Sequence, residues 1–206
     1  HNPFTVFADT PMADAQALMR REHIHRLPVL SREKKLIGIV SEKDLLYASP
    51  SPATTLNVYE MSNLLSKLKV DKVMTKEVVT VEEDTLVEDA ARLMVDRNIG
   101  GLPVLGDGNL VGIVTESDIF RLFIELFGTR RKGLRCTLLI PERVGELASL
   151  ASAISERGGN IISVGTFPGE DPTNAIATLK VDQIEKEALL SACGPFVQEV
   201  LDVRET

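Results

Sequence analysis

Two seven-residue stretches hold the residue types best suited to chemistry: Gly38-Ile39-Val40-Ser41-Glu42-Lys43-Asp44 and Gly112-Ile113-Val114-Thr115-Glu116-Ser117-Asp118. In each, an apolar run ends on a hydroxyl residue, and an aspartate follows three positions later. A strand that opens into a helix there frees backbone N–H groups, and a helix N-terminus favours an anion. Asp44 and Asp118 could then accept hydrogen bonds from the vicinal hydroxyls of a ribose, as acidic residues do in other nucleotide folds. A hydroxyl residue followed three positions on by Asp is also a capping box, so helix capping stays open beside ligand binding.

The stretches sit in a tandem repeat. An offset of 75 residues matches 13 identical positions between Asn2 and Leu30, including Thr5-Val6 on Thr80-Val81 and Leu27-Pro28-Val29-Leu30 on Leu102-Pro103-Val104-Leu105. The offset then becomes 74 and matches 6 more from Leu36 to Leu46. Each copy reads as a helix, a short strand, a turn, a second strand and a closing helix. Pro11 is expected at the first helical position of copy one, and Thr85-x-x-Glu88 as the capping box of copy two. Val87, Ala90, Ala91 and Met94 have the spacing of one inward helix face. Leu102 to Leu105 and Leu110 to Val114 then form a hairpin around Gly106-Asp107-Gly108-Asn109.

The copies differ at one place where charge matters. His25-Arg26 precedes Leu-Pro-Val in copy one, and Gly100-Gly101 stands there in copy two. Arg26 can hold a phosphate through paired donors, whereas Gly101 cannot. The plainer alternative is a solvated arginine beside a histidine at the edge of the core.

Ser49-Pro50-Ser51-Pro52-Ala53 reads as a linker, and Leu56, Tyr59, Leu64, Leu65 and Leu68 as the apolar face of an amphipathic helix. Copy two is preceded by Val70-Asp71-Lys72-Val73-Met74-Thr75. The matching segment of copy one would lie before residue 1, so the sequence is expected to begin several residues into that copy, with His1 a tag residue.

From Gly133 the pattern changes to strand, helix, strand, strand, helix, strand. Cys136 to Ile140 is the first strand, and Leu147, Leu150, Ala151 and Ile154 share a helix face stopped by Gly158-Gly159. Asn160 to Thr166 and Ala175 to Val181 follow as strands. Asp182-x-x-Glu185 reads as a capping box for a helix ending at Gly194-Pro195, and Val197 to Val203 closes the set. This β-α-β-β-α-β order predicts an α+β, ferredoxin-like sheet with two helices on one face.

The paired Gly-Ile-Val-hydroxyl-Glu-x-Asp elements, each with an upstream Leu-Pro-Val and an opening Thr-Val, resemble two cystathionine-β-synthase (CBS) domains forming one Bateman module. The resemblance places CBS domain 1 at 1–48, a linker at 49–69 and CBS domain 2 at 70–128. It implies binding of AMP, ATP, NAD or S-adenosylmethionine, with Ser41 and Asp44 in one cleft and Thr115 and Asp118 in the other. Backbone around Thr5-Val6 and Thr80-Val81 would contact adenine, and Pro28, Gly101 and Pro103 belong to the same binding set. His25-Arg26 is similar to the His-Arg pair that contacts phosphate in the γ subunit of AMP-activated kinase. Residues 133–206 resemble an ACT domain, whose kind often binds amino acids at a subunit interface; Glu142, Val144, Gly145, Asn160 and Ile161 would be its site. The usual Asp-x-Pro-Gly loop is here Glu142-Arg143-Val144-Gly145. The order CBS, CBS, ACT resembles the acetoin-utilisation family of regulators.

Composition narrows the classes further. The formal charge of −7 repels polyanions, and 7 Phe with 2 Tyr and no Trp leave few stacking platforms, which argues against a nucleic-acid partner. Cys136 and Cys193 have neither C-x-x-C spacing nor a nearby histidine for zinc, and read as reduced, buried residues in a cytoplasmic protein. The longest apolar stretch, Ile119 to Phe127, is interrupted by Arg121 and Glu125 and is too short to span a bilayer. Candidates for catalytic residues, a metal centre or a required cofactor are not evident. The expected function is a homodimeric, non-catalytic sensor acting on a protein target, with a constitutive scaffold as the alternative.

Overall fold

The computed structural model describes residues 3–48 and 68–206. The Ser-Pro linker and most of the expected amphipathic helix, including Leu56, Tyr59, Leu64 and Leu65, lie outside the described residues. The chain divides into two compact units, 1–119 and 120–206.

In the first unit, β1 (Val6–Phe7) pairs parallel with β2 (Arg26–Leu30), which pairs antiparallel with β3 (Leu36–Ser41). Helix α1 (Met12–Glu22) lies between β1 and β2 in sequence, and α2 (Glu42–Ala48) follows β3 without a gap. The second copy repeats this with β4 (Val81–Glu82), α3 (Val87–Arg97), β5 (Gly101–Gly106), β6 (Asn109–Thr115) and α4 (Glu116–Leu126). Both α1 and α3 end on a left-handed residue, His23 at φ 54° and Asn98 at φ 51°. That shared turn drops the chain into β2 and β5 at the same repeat position.

Three local expectations are corrected. Pro11 is the residue before α1 rather than its first position. Thr85 does not cap α3: its Oγ1 accepts the Glu82 N–H at 3.1 Å and closes the turn after β4, as Thr10 does for Phe7. Of the expected α3 face, Ala90 and Met94 are buried while Val87 is exposed.

The core of the first copy contains Met12, Met19, Leu27, Val29, Val40 and Leu45, and also Val70, which is completely buried. The segment that the repeat offset assigns to the second copy therefore closes the first. Met12 N–H donates to Leu68 O at 2.9 Å, and Ile39 and Thr75 exchange two backbone hydrogen bonds of 2.9 Å each. The open edge of β3 needs backbone partners, and Thr75 supplies them.

The second unit holds one antiparallel sheet ordered β10-β7-β9-β8, from β7 (Leu134–Pro141), β8 (Asn160–Pro168), β9 (Asn174–Asp182) and β10 (Glu199–Glu205). Alternate residues Leu134, Cys136, Leu138 and Ile140 of β7 and Ala175, Ala177, Leu179 and Val181 of β9 face one core. Against them pack Leu150 and Ile154 of α5 (Glu146–Glu156) and Leu189, Ala192 and Cys193 of α6 (Lys186–Cys193). Leu147, expected on this face, is exposed. The Asp182-x-x-Glu185 box does not form, because Asp182 is held by Arg131 and Asn160 and α6 starts without a side-chain cap. The central β7–β9 pairing is unbroken, whereas β8 and β10 each carry a register shift, at Ile161/Ser163 and Val200/Asp202.

Candidate functional site

Ser41 ends β3 and Asp44 lies in the first turn of α2. Ser41 N–H and Oγ donate to Asp44 Oδ2 at 2.8 and 2.6 Å, and Asp44 N–H donates back to Ser41 Oγ at 3.2 Å. This is a reciprocal capping box, and Asp44 Oδ1 takes part in none of its bonds. Thr115 and Asp118 reproduce it at the junction of β6 and α4, with Thr115 N–H and Oγ1 donating to Asp118 Oδ2 at 2.9 and 2.6 Å. The capping reading of the motif is thus observed in both copies, and the cap fixes each aspartate beside the end of a strand.

A cleft of about 570 Å³ opens beside Ser41 and Asp44. His25, Arg26, Ser41 and Asp44 line it from the first copy, and Thr75, Val78, Val79, Gly100, Gly101 and Glu116 from the second copy and its lead-in. His25 Nδ1 lies 2.8 Å from Glu42 Oε2, and Glu42 N–H donates to His25 O at 2.9 Å. Arg26 runs over Gly100 and Gly101: a Cβ on Gly100 would collide with its Nη2, and one on Gly101 would come within 3.2 Å of its Cδ. Glu116 Oε2 also borders that spot on Gly100. The difference between the copies is therefore complementary. One supplies the long cation and the other the bare backbone that leaves room for it.

The cleft beside Ser41 and Asp44 is also lined by Thr75, Val78 and Val79. The bridge of Thr75 to Ile39 directs the following residues across Ser41. Val6 is buried in β1 opposite Val29, and Thr5 precedes it; neither lines the cleft. Thr80, Val81, Thr115 and Asp118 are also outside its lining. Pro28 and Pro103 are buried at equivalent positions in β2 and β5, opposite Ile39 and Ile113, and shape the hairpins without reaching the cleft.

In the second unit, Glu142, Arg143, Gly145 and Glu146 border a cavity of about 250 Å³ with Thr166 on its far side. Gly145, at φ 89°, turns the chain into α5 in a conformation that disfavours a side chain. Val144 is fully exposed and is not part of the cavity's lining. Asn160 and Ile161 do not join it: they start β8, six residues before Thr166, roughly 20 Å along a strand. Asn160 Nδ2 instead donates to Asp182 Oδ1 at 2.8 Å. Glu146 is a residue that sequence reasoning missed. It is 4% exposed, its Oε2 accepts from Arg143 Nε at 2.5 Å, and its buried Oε1 has no partner. The Arg143-x-x-Glu146 spacing, three residues apart at a helix start, was the available signal.

Among the described residues no group of three or more His, Cys, Asp or Glu is placed to hold a metal ion, and no helix is long and apolar enough to cross a membrane.

The sequence profile of the CBS domain matches residues 1–51 and 70–125. A CBS domain-containing protein of Dictyostelium discoideum is 39% identical over 124 residues, 60% of this chain and 86% of its own length. Among solved structures, an acetoin utilization protein, AcuB, from Vibrio cholerae matches with a TM-score of 0.51 and 33% identity, over 62% of this chain and 87% of that one. The protein CBSX2, solved in complex with AMP, matches with a TM-score of 0.50 and 32% identity, over 61% of this chain and 90% of that one.

Proposed function

Because the chain belongs to the CBS-domain family, we propose that it is a non-catalytic regulatory protein that binds an adenosine-containing nucleotide in the cleft between Arg26 and Asp44. The observation that carries this reading is the placement of Arg26 over Gly100-Gly101, in a cleft that Asp44, fixed by its cap, also lines. Arg26 would hold the phosphate through paired donors, Asp44 the ribose, and the backbone of Val78 and Val79 the adenine. A volume of about 570 Å³ is within the usual range for a ligand of this size. The AMP complex of CBSX2 supports AMP as the first ligand to test, before ATP, NAD and S-adenosylmethionine. Thr115 and Asp118 are proposed as the anchor of a second, weaker site that lacks an arginine.

Residues 133–206 are proposed as an ACT-like, ferredoxin-like module, supported by the sheet order β10-β7-β9-β8 and the two helices on one core. It would serve homodimerisation, with an amino acid at the cavity near Glu142 and Gly145, where the unpartnered oxygen of Glu146 suits an ammonium group. A cytoplasmic role in acetoin or related carbon metabolism is proposed with it, and the likeness to AcuB supports the acetoin part. The second reading, a constitutive scaffold, has one observation in its favour: Ser41 and Asp44 already satisfy each other. Calorimetric titration with AMP decides between them. The sensor reading predicts saturable binding that Arg26→Glu weakens at least tenfold; no heat from any of the four ligands favours the scaffold.

A further inference from the structure

The sheet of the second unit has a charged row on the face turned away from α5 and α6. Its register sets Arg204 of β10, Arg135 of β7 and Lys180 of β9 directly opposite one another, with Ser163 of β8 next in line. Residues directly opposite share a face, and like charges so placed are unfavourable. Asp202 answers two of the three: it accepts from Arg204 Nε and Nη2 at 2.7 and 2.9 Å, and lies 3.8 Å from Arg135 Nη1.

Lys180 is left without an answer of that kind. It is 4% exposed, and its ammonium donates to the Gly128 carbonyl oxygen at 3.1 Å, one bond for three donors. Among the described residues no carboxylate lies within ion-pair distance of it. Asp182, two residues along the same strand, is engaged by Arg131 at 2.9 Å and Asn160 at 2.8 Å. A buried ammonium with no counter-charge is costly, and such groups are ordinarily paired.

Beside Lys180 is a cavity of about 140 Å³, lined also by Phe127, Thr129, Arg135, Ser163, Thr178 and Thr206. At about 30 Å³ per water molecule that is room for four to five waters, too little for a nucleotide. We infer that this cavity binds a small oxyanion, a short-chain carboxylate or inorganic phosphate, with Lys180 as buried counter-charge, Arg135 as second cation, and the Ser163 and Thr178 hydroxyls as neutral donors. The site is independent of the cleft at Arg26.

The test is thermal unfolding of the full chain at constant ionic strength, with acetate, pyruvate or phosphate replacing chloride. The expected result is a saturable rise in Tm with at least one of the three, retained in Arg26→Glu, lost in Lys180→Met, and weakened at least tenfold in apparent affinity in Arg135→Gln. A rise with phosphate alone identifies a tetrahedral oxyanion, and a rise with acetate or pyruvate alone a carboxylate; citrate, too large, gives none. If Lys180→Met does not fold, Arg135→Gln carries the comparison. The inference is overturned by the absence of a saturable rise in the unsubstituted chain, by a rise that survives both sheet substitutions, or by one that disappears in Arg26→Glu.

Discussion

Arg26 of the first repeat occupies the space that a side chain on Gly100 of the second would need. The two are unequal members of one repeat pattern, since residue 100 is the counterpart of His25 by offset. Gly100→Ala would push the guanidinium aside without imposing backbone strain, because Gly100 does not adopt a positive φ. The expected result is a loss of AMP affinity of about tenfold, equivalent to about 1.4 kcal/mol, with little change in Tm. Calorimetry on Gly100→Ala beside Arg26→Ala checks it, and full affinity in the glycine variant would remove Arg26 from the site.

Asp44 can be tested for its two roles separately. Asp44→Asn keeps the side-chain length and an acceptor for the Ser41 N–H while removing the charge. Stability should fall by no more than about 1 kcal/mol, the usual size of a cap effect, while affinity for an adenosine ligand falls about tenfold. A variant that loses stability and keeps affinity identifies a cap alone.

Gly38 meets the segment that closes the first repeat. A methyl group there would run into Met74 Sδ and lie 3.1 Å from the Thr75 carbonyl oxygen. Gly38→Ala should cost about 1–3 kcal/mol, the usual range for overpacking, and Met74→Ala in the same chain should recover part of it. Urea unfolding of the two single variants and the double variant measures the coupling. Strict additivity would separate Met74 from Gly38.

Asp171 sets an acid-range dependence. The Thr173 hydroxyl, donating at 2.6 Å, and the Thr173 N–H, at 2.7 Å, hold its carboxyl below the usual aspartate range. A folded-state pKa below the unfolded one means the unfolded chain binds more protons as pH falls. The contribution is therefore complete above the ordinary aspartate value of about 3.9 and is lost as pH drops through the lower folded value. Carboxyl NMR titration should find the Asp171 midpoint depressed, and Thr173→Val should raise it. An unchanged midpoint in that variant would assign the depression to another cause.

The repeats were legible because duplication preserves identity at fixed offset, and the hairpins because Leu27-Pro28-Val29-Leu30 and Gly38-Ile39-Val40 alternate around turn residues. The capping aspartates at 44 and 118 were legible for the same reason. The partnering of Ser41 with Val78 and Val79 was not: offset groups residues by descent, whereas the edge of β3 accepts whichever backbone can reach it, and Thr75 does. Helix starts were misjudged where a threonine or aspartate had a stronger claim elsewhere, as Thr85 has in its turn and Asp182 with Arg131. Lys180 was invisible because a lysine in an alternating strand reads as solvent-facing. Its burial appears only once β7, β8 and β9 are set in register.

The register shifts in β8 and β10 bear on how the protein behaves when concentrated. Both fall on the outer strands, which present unpaired backbone groups and expose Val164, Phe167, Val200 and Leu201. A bulge twists an edge and interrupts its ladder, so a foreign strand can add along only part of either side. The inner β7–β9 ladder keeps its continuity behind both interrupted margins.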